Sequence, residues 1–91
     1  MDSMTVQPSI IAVEFFGGPH DGAVFRSNSA DVREVKEAVR IYQLANRGTI
    51  GTRFRLNAPK SPNTTHIYEC VATGELAGLF LIRCQHRPQS A

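Results

Sequence analysis

Apolar residues along the chain follow two different periodicities. Between residues 31 and 46 they recur at Val32, Val35, Val39, Tyr42 and Ala45, with Ala38 and Ile41 widening the stripe. That spacing lies close to the ~3.6-residue helical repeat and predicts one amphipathic helix. Ser29 or Asp31 caps its start, and Glu34 falls in the first turn, where the helix dipole favours an anion. Arg47 and Gly48 are expected to close it, a cation in the last turn followed by a C-terminal glycine. Valines are poor helix formers, so a packed face must hold this helix in place.

Elsewhere the pattern is that of strands. Residues 9–16 are rich in Ile, Val and Phe, and residues 23–27 are expected to run back beside them. Over residues 50–56, Ile50, Thr52, Phe54 and Leu56 take one face while Gly51, Arg53 and Arg55 take the other. Residues 66–72 and 79–86 form a last pair joined around Thr73-Gly74-Glu75. The stretch 57–65 holds two prolines and no apolar anchor, so it reads as an exposed loop.

The resulting order, β-β-α-β-β-β, is an α+β fold: a mostly antiparallel five-stranded sheet with one helix across one face. A single domain is expected over residues 9–87, with loose tails at 1–8 and 88–91. Strand order in the sheet stays open. One feature strains a two-layer picture: Leu79, Phe80, Leu81 and Ile82 are apolar on both faces, as are Ile10 and Ile11. Either the sheet curls toward a partial barrel, or a second copy covers the free face in a homodimer.

Composition bounds the reading further. An apolar share of 42% with 20% charged residues belongs to a chain that folds. Two cysteines make no disulfide scaffold, and the first residues lack the basic, then apolar, pattern of a secretory signal or a membrane span. The expectation is a cytoplasmic protein with reduced thiols and no membrane contact.

Charge is unevenly placed. The formal net charge is +2, yet residues 47–91 hold six basic side chains against two acidic ones. Eight of the ten basic residues are arginine, which suits phosphate and carboxylate contacts. Arg53, Arg55, Lys60, Arg83 and Arg87 could line a sheet side that binds nucleic acid, with an aromatic such as Tyr68 to stack on. Solvated surface arginines are the plainer alternative.

A second group is His66, Cys70, Cys84 and His86. Even spacing puts His66 and Cys70 on one strand face, and Cys84 and His86 on one face of the next. With a turn near Leu76, His66 would lie opposite His86. Zinc accepts such ligands, but the spacing matches no familiar zinc pattern, and strand-interior thiols usually serve as core. No metal and no cofactor is therefore expected. For the same reason neither thiol is expected to be a nucleophile, and no catalytic set is expected.

Gly17-Gly18-Pro19-His20-Asp21-Gly22 is the strongest turn signal. Pro19 removes one amide donor and a strand follows, so it is no phosphate loop. The run Phe15-Phe16-Gly17-Gly18-Pro19-His20-Asp21-Gly22-Ala23 resembles the opening strand–GGPxDG–strand hairpin of many small hypothetical proteins of bacteria and their phages. The likeness covers about the first quarter of the chain. Many of those proteins also end in a tyrosine-bearing hairpin, which Tyr68 matches. The resemblance implies a hairpin and no activity. The residues favour a non-enzymatic interaction module that self-associates, with nucleic-acid binding as the alternative.

Overall fold

Strand β1 (Ile10–Phe16) sends Ile11, Val13 and Phe15 into the core and keeps Glu14 and Phe16 outside. The structure is a computed structural model that describes residues 10–88. The expected tails at 1–8 and 88–91, and Ser9, lie outside that range except for Pro88. After β1 the chain makes one 3₁₀ turn over Gly18–His20 and returns as β2 (Val24–Arg26), antiparallel to β1. Helix α1 (Val32–Leu44) follows, then β3 (Arg53–Asn57), β4 (Thr65–Leu76) and β5 (Leu79–Arg87). This is the expected α+β succession.

The sheet order is β2-β1-β5-β4-β3. Three pairings are antiparallel, but β1 runs parallel to β5, from Ile10 beside Leu79 to Phe16 beside Gln85. The helix packs on β1 and β2. Opposite edges of the sheet, Ala23 and Phe25 at one side and Leu56 and Asn57 at the other, line a common cleft with helix residue Ile41. The sheet is thus curled into a half-barrel. The two-faced apolar segments divide: Ile11 and Ile82 enter the core and Phe80 packs edge-on against Tyr42, while Ile10, Leu79 and Leu81 lie half-buried on the face away from the helix.

Asp31 caps α1, its carboxylate accepting the Arg33 N–H at 2.9 Å. Glu34 supports the same end by accepting from the Arg26 N–H and the Ser29 hydroxyl. The buried face is Ala38, Ile41 and Ala45, whereas Val32 and Val39 are exposed. The expected stripe was centred one step off, because two alanines let the helix lie close against β1 and β2. Its end also differs. The helix stops at Leu44, and Asn46, Arg47 and Gly48 all take left-handed backbone angles, so Arg47 is not in the last turn.

Three other expectations are corrected. Residues 49–52 form a turn around Gly51, so β3 begins at Arg53 and Ile50 is exposed. Strand β4 runs through Thr73-Gly74-Glu75 to Leu76, and the hairpin turns at Ala77-Gly78. Both of these have positive φ, the backbone twist that a two-residue hairpin favours. The turn at Ala77-Gly78 moves the register three residues from one centred on Leu76, and a bulge between Cys70 and Ala72 takes one back, so Tyr68, and not His66, lies opposite His86.

Candidate functional site

Strand alternation sorts the candidate side chains onto two faces. Phe54, Leu56, Tyr68, Cys70, Ile82 and Cys84 point into the core with α1. Arg53, Arg55, Arg83 and Arg87 therefore share the opposite, helix-free face, as the sequence suggested. Arg26 joins them from β2, since its register partner is Ala12 on the same side. Lys60 is an exposed residue of the β3–β4 connection and belongs to no strand.

The open face is not apolar at its centre. Glu69 accepts from Arg87 at 3.0 Å and from Arg53 at 3.2 Å, and Arg83 pairs with Glu14 at 3.3 Å. The Arg87 and Arg53 bonds hold the Glu69 carboxyl below its ordinary value. Arg55 bonds no carboxylate among the described residues, and five arginines face two glutamates across the five strands. The aromatic residue is also not the expected one. Tyr68 is fully buried on the other face, and Phe16, 41% exposed, is the aromatic ring on the arginine side. Arg26, Phe16, Glu14 and Glu69 are missed by the sequence reading; extending the in–out alternation to β1, β2 and β4 finds them.

The Cys/His group divides. Cys70 and Cys84 lie opposite each other, free and fully buried. Burial pushes both thiols up, and that of Cys84 reaches about 12, with Cys70 adding to the effect. Such groups are packing, not nucleophiles. The two histidines meet instead at the end of the sheet: His66 Nδ1 lies 3.1 Å from His86 Nε2. Among the described residues no three His, Cys, Asp or Glu side chains converge on one point.

Tyr68 sits between this pair and the glycine turn. Its hydroxyl donates to the Gly17 carbonyl at 2.8 Å and accepts the His20 N–H at 3.0 Å. Its ring meets Phe15, His20 and His86 edge-on. Asp21 closes the turn by accepting the Gly17 N–H at 2.7 Å, while His20 Nε2 donates to the Asn57 carbonyl at 2.9 Å. His20 and Asp21 thus have separate structural partners and form no acid–base pair. Burial, the leading cause, holds the Tyr68 hydroxyl above its ordinary pKa.

A cleft of about 730 Å³ opens between α1, the glycine turn and the end of β3. Phe25, Ile41 and Leu56 give it apolar walls, and the Glu37–Arg40 ion pair stands on its rim. Of its polar side chains, His20 and Asp21 bond backbone, Glu37 and Arg40 bond each other, Asn57 accepts from Thr65, and Arg55 has no partner among the described residues; no thiol or hydroxyl lines it. No protein-family model, no curated protein and no solved structure matches this chain.

Proposed function

We propose that the chain is a non-enzymatic binding module that takes single-stranded nucleic acid along the open face of its sheet. The observation that carries this is the gathering of Arg26, Arg53, Arg55, Arg83 and Arg87, from three strands, on the face the helix leaves free. Phe16 adds a ring on which a base can stack, and arginine suits phosphate. Two carboxylates order three of these guanidinium groups and leave the face with an excess of positive charge. A self-associating sheet would need apolar contact there, and Phe16, Val24, Ile67, Leu76, Leu79 and Leu81 would be its residues. The charged centre of the face puts that homodimer second.

The test is fluorescence anisotropy of a labelled oligonucleotide at several salt concentrations. About four phosphate contacts predict a slope near −3 in log affinity against log salt, taking roughly −0.7 per contact for single strands. Arg55→Glu should weaken binding several-fold at low salt without changing the fold. Absence of binding at low salt ends this reading. Sedimentation of the free chain, run alongside, detects a dimer that occupies the face instead.

A further inference from the structure

We propose that His66 and His86 form a two-imidazole site for a divalent transition cation such as Zn²⁺, separate from the arginine face and from the buried thiols. The two rings come from neighbouring parts of β4 and β5, and they present His66 Nδ1 and His86 Nε2 to each other at 3.1 Å. Two ring nitrogens bound to one zinc at about 2.0–2.1 Å stand roughly 3.0–3.4 Å apart at ordinary coordination angles. The pair therefore already has the nitrogen spacing of a shared cation, and a turn of the half-exposed His66 ring aims both lone pairs at one point in the hollow. Both rings are half-buried and border an open hollow of about 330 Å³, with Thr64 and Thr65 beside them. Water completes the remaining two positions, one more than in an open zinc site held by three protein ligands. Imidazole also suits copper and nickel, so selectivity rests on supply and geometry.

Two further observations favour this pair over the four-residue set the sequence suggested. First, His86 is held in place. A Cβ built on Gly18 would lie 2.6 Å from its ring, and one on Gly17 3.3 Å from its Cβ, so the glycine turn is pressed against it. Tyr68 stacks edge-on from the sheet side, with ring centroids 5.3 Å apart. A ligand fixed by its neighbours loses little entropy on binding. Second, the thiols lie fully buried in the core, out of reach of a cation in the hollow. Of the nearest charges, Arg87 is drawn onto the opposite face by Glu69. When the cation binds, the proton shared between the rings moves to another ring nitrogen or to water, and no other bond changes.

The test is calorimetric titration of ZnCl₂ into the full chain at pH 7.5 in a non-coordinating buffer, with imidazole ¹⁵N NMR alongside. One saturable cation per chain, or one per two chains, is expected, with His66 and His86 signals moving together and His20 unmoved. His66→Gln removes a half-exposed ligand and should weaken binding at least tenfold with circular dichroism unchanged. No saturable uptake, uptake indifferent to His66→Gln, or shifts at His20 alone would each overturn the site. The NMR readout on the unmodified chain keeps the outcome decisive even where His86→Gln fails to fold.

Discussion

Tyr68 Oη is bonded on both sides by the turn it supports, donating to the Gly17 carbonyl and accepting the His20 amide. The two contacts bridge about fifty residues of sequence and pin the first hairpin to the fourth strand. Tyr68→Phe keeps the ring and removes both bonds, leaving a part-buried amide and carbonyl without their partner. The expected cost is about 1–3 kcal/mol, read as a lower midpoint in urea with unchanged slope. Unaltered stability would mean that water replaces the hydroxyl without penalty.

Gly18 and Gly22 both take positive φ, at 69° and 83°, but only one is crowded. A Cβ on Gly18 would meet the His86 ring and lie 2.8 Å from Tyr68 Oη, whereas one on Gly22 meets nothing within 4 Å. Gly22→Ala should cost about 1–2 kcal/mol of backbone strain alone. Gly18→Ala adds overpacking of roughly 1–3 kcal/mol to the same strain. Equal losses in the two variants would remove the packing argument for the glycine pair.

Alkali should destabilise the protein through its thiols. Cys84 ionises near 9 when free but near 12 in the fold, so the native state binds the extra proton between those values. The stabilisation is complete below pH 9 and is lost as pH rises toward 12, on the order of 4 kcal/mol for a shift of that size. Tyr68, also raised by burial, acts in the same direction. Urea midpoints at pH 7.5, 9 and 10.5 should fall, and the fall should be shallower in Cys84→Ala. An equal slope in that variant would assign the alkaline loss to other groups.

Glu69 carries the opposite sign. Its carboxyl is held low by Arg87 and Arg53, so its contribution is present above the ordinary carboxylate range and disappears as pH falls through its lowered value. Glu69→Gln should flatten the acid limb of the stability profile and change little at neutral pH, where an exposed pair is worth little. It also frees Arg53 and Arg87. Oligonucleotide affinity should therefore rise several-fold in the same variant. A fall would mean that the glutamate is needed to order those arginines for binding.

Much of this was legible in local pattern, where neighbours in sequence decide the outcome. The capping of α1 by Asp31, the glycine turn and the outward set of Arg53, Arg55, Arg83 and Arg87 all follow from spacing alone. What eluded reading depends on partners distant in the chain. The parallel pairing of β1 with β5 leaves no turn signal, and the hairpin turn at Ala77-Gly78 together with the bulge after Cys70 makes Tyr68, not His66, the facing partner of His86. The same limit hid the reason for Gly17-Gly18: their need for space is set by His86 and Tyr68, far along the sequence. Tyr68 was placed on the wrong side because its strand was not phased against Phe54, its partner on β3.

The seam between β1 and β5 joins residues that stand 69 positions apart in sequence. It runs through the middle of the sheet, so the hairpin on one side and the three-stranded meander on the other can form early but cannot share a core until this seam closes. Contacts of such long range carry a large loop-closure cost and slow the search for the native arrangement. Residues along the seam, Val13 and Ile82 foremost, should therefore lock late, and a weakened pair there should show itself in faster unfolding more than in slower folding. The molecule is in effect a hairpin and a three-stranded meander zipped together at the centre.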